Sequence, residues 1–332
     1  MSTTPPTPKP TLARWYIDTR SLTATTTSLP LLETLQPAEQ QAIQKFYHVK
    51  DKHMSLASNL LKYLYIHRAC RIPWHKILIS RTPAPHQRPC FIPSASLLAT
   101  HPAPLPAIEF NVSHQNSLVA LAGTTSPNNP STSTPTNNPP LPPPQLGIDI
   151  TCVNERHGKR GPEPRTRTSF LEYARIFTEI FSARELSLIQ TLTHPTHHHA
   201  LTSPAGVEYS YRVFFTYWAL KEAYIKMTGE ALLAPWLREL EFTEVVAPEA
   251  GAGAYCGTKV WLYGEEVRDV RVEVVPFEGD YLVATAARGV GVGRNADGDG
   301  EGEGEDVWEE LVGMDLEGDV RPCALGVCGC LE

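Results

Sequence analysis

Along this chain apolar residues recur every three or four positions in a few long stretches, and elsewhere alternate with polar ones or form short runs. "RWYIDTRSL" alternates as a first strand would. "LQPAEQQAIQKFYHVKDKHMSLASNLLKYLYIHRAC" predicts two helices, with Leu56, Leu60, Leu61, Tyr63 and Leu64 at helical spacing and Pro37 in a first turn. "KILISR" and "SLVALAG" are apolar runs of strand length, and "EFNVSHQ" is an extended segment before the latter. "LGIDI" reads as another strand. "YARIFTEIFSARELSLIQTL" gives one or two helices, with Ser182 as an N-cap three residues before Glu185. Residues 214–232, "FFTYWALKEAYIKMTGEAL", form a helix that is apolar on almost every side, and "TKVWLYGEEVRDVRVEVVPFEGDYLVATAAR" supplies alternating strands with turns at Gly264 and Gly279. In "VWEELVGMDL", Trp308, Leu311 and Met314 fall at helical intervals, which predicts a short segment docked on the body. The expected class is α+β: both halves combine helices with a small sheet, and no exact internal repeat is visible.

Composition divides this pattern into domains. Residues 1–12 are Pro- and Thr-rich and are expected to be disordered, and residues 124–145, "TTSPNNPSTSTPTNNPPLPPPQ", read as a solvated connector. An N-terminal α+β subdomain is therefore placed at 13–123 and a C-terminal one at 146–289, followed by an acidic Gly-rich linker at 290–306 and a tail at 307–332. "RHGKRGPEPRTR" is a basic loop and "HPTHHHALTSPAG" a second insertion. The alternation in "NADGDGEGEGED" lacks the spacing and bidentate Glu of a calcium loop, so it is read as linker.

Charge and cysteine usage narrow the classes. With 332 residues, 42% of them hydrophobic, the chain can bury a sizeable core, while a net charge of −7 argues against nucleic acid as a partner. No secretory pattern or long apolar run occurs, so a soluble, cytoplasmic protein without a membrane partner is expected. The seven cysteines are odd in number and scattered, which reads as reduced thiols. Prenylation would need a cysteine where Gly329 stands. Cys323, Cys328 and Cys330 have no fourth ligand nearby in the sequence, so they are assigned to a flexible tail rather than to zinc.

The candidate chemistry begins with Glu222, a carboxylate among large apolar groups of a buried helix, which is a costly place for a charge. An i,i+4 pair with Lys226 would account for it; so would a partner elsewhere in the chain. Asp149, at the end of the "GIDI" strand, faces away from Ile148 and Ile150. Alone it reads as a cap or turn residue; beside Glu222 it would make a two-carboxylate site of the kind that holds magnesium together with substrate phosphates. "NVSHQ" sets Ser113, His114 and Gln115 in an extended segment before a buried strand.

In this order and with this separation, "NVSHQ", "GIDI" and "YWALKEAYIK" resemble the signature of the surfactin-synthetase-type 4'-phosphopantetheinyl transferases, and the broad-specificity fungal members look most similar. The likeness runs from about Arg14 to Arg288, with "FYHVKD" followed by Ser55, and "SRTPAPHQRP" containing Arg81 and Arg88, as supporting matches. The resemblance implies two similar α+β subdomains related by a pseudo-twofold axis, with coenzyme A in the cleft between them. It implies that Asp149 and Glu222 bind Mg2+ with the coenzyme A pyrophosphate, that Glu222 accepts the proton of the attacking carrier serine, and that Lys226 neutralises the leaving group. Ser113, His114, Arg88, Arg81 and Ser55 would contact coenzyme A, and Lys221 would support them. The chemistry suits these residue types, since phosphoryl transfer needs alignment and charge neutralisation more than a protein nucleophile.

Two positions depart from the pattern. Thr151 stands where bacterial members carry a second acid, leaving the metal shell to be completed by Gln115 or water, and Ala42 stands where a basic residue is expected, with Lys45, Lys50 or Lys52 as replacements. The implied partners are apo-carrier domains of fatty acid, polyketide and non-ribosomal peptide synthases and of aminoadipate reductase, engaged by a monomer. Carrier helices are usually acidic, which makes the basic loop a candidate rim. A catalytically inactive coenzyme A-binding regulatory protein and an acyl-CoA acyltransferase are the competing readings; magnesium dependence separates the latter.

Overall fold

A computed structural model of the chain describes residues 11–84, 86–126, 143–154, 165–194, 199–230, 234–293 and 306–331. The first half runs β1 (Leu12–Asp18), α1 (Arg20–Thr25), α2 (Pro37–Gln44), α3 (Val49–Cys70), β2 (Ile79–Arg81), β3 (Pro89–Phe91), α4 (Ala95–Thr100), β4 (Ala107–Gln115) and β5 (Leu118–Ser126). The second runs β6 (Gln145–Cys152), α5 (Arg167–Arg175), α6 (Ala183–Thr191), α7 (Pro204–Thr228), β7 (Leu240–Thr243), β8 (Lys259–Leu262), β9 (Glu265–Glu266), β10 (Val270–Phe277) and β11 (Tyr281–Arg288). Strand β12 (Trp308–Gly313), a π turn (Leu316–Val320) and α8 (Arg321–Ala324) complete the chain order. Most of the N-terminal segment, the connector, the basic loop, the His run and the acidic linker lies outside the described residues.

The two halves share one topology. Each begins with a strand, continues into a long helix and ends in an antiparallel hairpin whose second strand pairs with the first strand: β1 with β5, and β6 with β11. Helix α3 covers the first sheet and α7 the second. Each copy carries two shorter helices between its first strand and its long helix, α1 and α2 in the first and α5 and α6 in the second. Residue alternation then joins the halves: Val119 and Leu121 of β5 face α3, while Leu118, Ala120 and Ala122 face the other way and bury against Leu146, Ile148 and Ile150 of β6.

Helix α7 carries Lys221, Glu222 and Lys226, so its ends and its approach to the sheet set where those side chains fall. Ser203 caps its N-terminus by accepting from the Gly206 amide, Pro204 occupies the first turn, and Gly229 ends it at φ +81°. It thus starts ten residues before the span expected from its apolar run, because the cap and Pro204 lie in what the sequence shows as an insertion. Gly147 lets α7 close on β6, since a Cβ there would lie 2.2 Å from the Ala223 carbonyl oxygen.

The C-terminal segment forms a strand where its apolar spacing predicts a helix. β1 pairs with β5 on one side and offers its other edge, and the hydrogen bonds of a parallel β12 outweigh three apolar residues at helical intervals. Trp308 lies over the guanidinium groups of Arg14 and Arg271, 5.6 and 4.4 Å from its ring. Both arginines pair with buried Glu273, at 2.5 and 3.1 Å, so this segment bridges the halves.

Candidate active site

The site lies at the seam where the edge strand of the first sheet runs beside the edge strand of the second. Odd positions of β4 face β6: Asn111 Oδ1 accepts from the Ile148 amide at 3.1 Å, Ser113 Oγ donates to Asp149 Oδ1 at 3.0 Å, and Gln115 Oε1 accepts from the Cys152 amide at 2.6 Å. Even positions face α3, where Phe110 and Val112 pack and His114 opens to solvent. The "NVSHQ" motif is therefore two half-motifs, one stitching the halves together and one turned toward α3.

Asp149 is buried and sits within β6, opposite Ala284 of β11, rather than at the strand's end. On the face with Gly147 and Thr151 it meets α7. Lys226 Nζ lies 2.6 Å from Asp149 Oδ1 and donates to Ser113 Oγ at 2.9 Å, and Thr151 Oγ1 donates to Asp149 Oδ2 at 2.7 Å. Thr151, at the expected second acid, thus fixes the carboxylate it does not duplicate. The i,i+4 pair with Glu222 is not made: Lys226 turns to Asp149, and Glu222 forms no hydrogen bond or close ion pair with any described residue. Burial, reinforced by the negative charge of Asp149 and opposed by Lys226, pushes the Glu222 carboxyl above the usual range.

Two hard carboxylates close enough to raise the basicity of one of them, with that one unpaired, fit a magnesium ion. Gln115 contributes less clearly to such a shell, because its side-chain oxygen already holds the Cys152 amide.

Around the seam the half-buried residues of α3 recur as Asp51, Ser55, Asn59 and Lys62, one polar stripe at helical spacing. Its charges reach His114: partial burial first, then Lys226 and Lys62, lower the imidazole's pKa, with Asp51 opposing. Lys62 stands in none of the motifs that the sequence singles out. Burial and, more weakly, Arg81 bring its ammonium down to about 8, against Glu39. Lys50, one proposed stand-in for the base missing at Ala42, is held 2.5 Å from Asn116 Oδ1.

Two of the residues that the resemblance assigns to coenzyme A have structural partners. Lys221 is fully buried on another face of α7, 2.9 Å from Glu185 of α6 and donating to the Leu237 and Leu240 carbonyls, so it supports the core rather than coenzyme A. One residue of helix rotates it about 100° from Glu222. Arg88 spends its guanidinium on Glu109 and on the Met227 and Leu146 carbonyls, fastening the end of α7 to β4 and β6. Arg81 is exposed and donates to the Gln87 carbonyl at 2.9 Å. In the basic loop, the described Arg165 and Arg167 turn inward, to the Val153 and Gln190 carbonyls.

Residues 24–126 match the family described as "4'-phosphopantetheinyl transferase, N-terminal", and residues 145–286 the "4'-phosphopantetheinyl transferase superfamily". The chain is 56% identical over 348 residues to 4'-phosphopantetheinyl transferase A of Aspergillus fumigatus, covering 97% of each. It is 53% identical over 342 residues to 4'-phosphopantetheinyl transferase NpgA of Emericella nidulans, again covering 97% of each. At 25% identity over 280 residues it also resembles the human L-aminoadipate-semialdehyde dehydrogenase-phosphopantetheinyl transferase, covering 84% of this chain and 71% of that one. A regulatory protein without catalysis finds no support among these relatives.

Proposed function

The chain belongs to the 4'-phosphopantetheinyl transferases, enzymes that move phosphopantetheine from coenzyme A to carrier proteins, and from that premise we propose that Asp149, Glu222 and Lys226 perform the transfer. The observation that carries this assignment is the unshared Glu222 carboxylate, held against Asp149 and Lys226 at the seam between the halves.

In this reading Glu222 accepts the proton of the carrier serine as its oxygen attacks the β-phosphorus of coenzyme A. Its raised basicity suits that role. Lys226, fixed by Asp149 and Ser113, neutralises the departing adenosine 3',5'-bisphosphate. Asp149 and Glu222, with Gln115 or water, would hold a magnesium ion, which would supply charge neutralisation and alignment for the coenzyme A pyrophosphate. His114, Ser55, Arg81 and Lys62 line the phosphate side, while Arg88 acts by holding the α7 terminus and through its backbone.

We assign the chain to the surfactin-synthetase-type branch, since one chain carries both topologically equivalent halves, β1 to β5 and β6 to β11. That completeness favours a monomer. The name of the human relative points to the carrier domain of aminoadipate reductase. Acyl, polyketide and peptidyl carriers in the cytoplasm are the other clients this branch would take.

The test is the intact mass of an apo-carrier protein incubated with the enzyme, coenzyme A and magnesium. A phosphopantetheine-sized gain, abolished by chelator and restored by magnesium, is expected; no gain on several unrelated carriers would overturn the reading.

A further inference from the structure

The three C-terminal cysteines do have a fourth ligand, supplied by α3. His67, Cys323, Cys328 and Cys330 bring one ligand atom each to within 4.8 Å of one another. Cys323 and Cys330 Sγ are 3.7 Å apart, and His67 Nε2 is 3.1 Å from Cys328 Sγ. A tetrahedron with metal–sulfur bonds of about 2.3 Å has edges of about 3.8 Å, so the Cys323 and Cys330 sulfurs already stand near ligand spacing. The expectation of an unliganded tail is corrected on this point: His67 lies 261 residues from Cys328 in the chain and beside it in the fold.

We propose that His67, Cys323, Cys328 and Cys330 form a closed tetrahedral site for one zinc ion that fastens the C-terminal segment to α3. Three thiolates and one imidazole make a donor set that selects zinc over the hard cations of the phosphate site. The surroundings are those of a ligand cage. His67 Nδ1 donates to the Ile72 carbonyl at 2.7 Å, which fixes the ring and leaves Nε2 as the lone-pair donor. Backbone amides of Cys328 and Cys330 bond the Cys328 sulfur. Arg68, bonded to Cys323 and to Asp319, places a positive charge beside a centre whose three thiolates and divalent ion sum to −1. His67 and Cys323 are fully buried, and Cys328 and Cys330 half-buried, so the ion would be shielded by the segment it ties down.

The consequence is a clasp. β12 pairs with the edge of β1, Trp308 sits between arginines of the two halves, and zinc would lock the end of the same segment onto the helix that carries Ser55 and Lys62.

The experiment is elemental analysis of the full chain purified with a phosphine reductant and no chelator, paired with alkylation of the native protein read by mass. One zinc per chain is expected, with Cys323, Cys328 and Cys330 protected while exposed Cys256 reacts. Cys330→Ser should lose the zinc and Cys256→Ser keep it, and cobalt exchanged into the site should show thiolate charge-transfer bands with the visible absorption of a tetrahedral ion. Protein folded without zinc that binds none when supplied, or a two-hydrogen mass deficit marking a Cys323–Cys330 disulfide, would overturn the proposal. The readouts are independent of transfer activity, so they stand whatever the carrier assay gives.

Discussion

Two lysines five residues apart on α7 are each paired with an acid from another element, yet they sit in opposite situations. Lys221 is enclosed: its ammonium meets Glu185 and two carbonyls, and Glu185 in turn accepts the Ser182 and Phe242 amides, so every strong group has a partner. Lys226 shares Asp149 with Ser113 and Thr151, and beside them Glu222 is left without a partner among the described residues. A buried network that is complete stabilises or specifies structure, whereas one left a ligand short, at a seam between domains, is built for something that arrives later.

The comparison breaks most sharply at Glu222. Glu222→Gln is expected to lower the transfer rate about 10³-fold, on the scale of losing a major electrostatic contributor to a transition state. Its melting temperature should rise: the folded pKa of Glu222 is raised, so the ionised carboxylate costs stability at neutral pH, and the amide removes that cost. Lys221→Met should do the reverse, destabilising by about 3–5 kcal/mol because Glu185 is left buried and unpaired, as chemical denaturation would show. Adding Glu185→Gln to it should recover part of the loss. Lys226→Ala should reduce kcat about 10²-fold, checked by carrier-modification kinetics per folded molecule beside a melting curve. Lys62→Ala is expected to raise KM for coenzyme A about tenfold with kcat little changed. Because the ammonium of Lys62 titrates near 8, kcat/KM for coenzyme A should fall above that pH as its positive charge is lost, and Lys62→Arg should flatten that limb.

The polar side of this comparison was largely legible in the sequence, and the apolar side was not. Asp149, Glu222 and Lys226 stand in short motifs whose spacing puts carboxylates and an ammonium on known faces of a strand and a helix, and the capping box of Ser182 and Glu185 is local. What pairs with what is tertiary. Nothing near Lys221 names Glu185, and nothing near Cys323 names His67. Lys226 has an acid one turn away and pairs with another across the seam, because Gly147 lets α7 approach β6. Lys62 could have been found: Asp51, Ser55, Asn59 and Lys62 make a polar stripe at helical spacing beside the apolar face of α3. The tail shows the converse error, three apolar residues at helical spacing overruled by an open strand edge.

The most direct test sets the two positions side by side: the rate of carrier modification per folded molecule for Glu222→Gln and Lys221→Met, below the melting temperature of the weaker variant. The account predicts a near-wild-type rate for Lys221→Met and a loss of about 10³-fold for Glu222→Gln. A Glu222→Gln enzyme that transfers at the wild-type rate, or a folded Lys221→Met enzyme that does not, would contradict it.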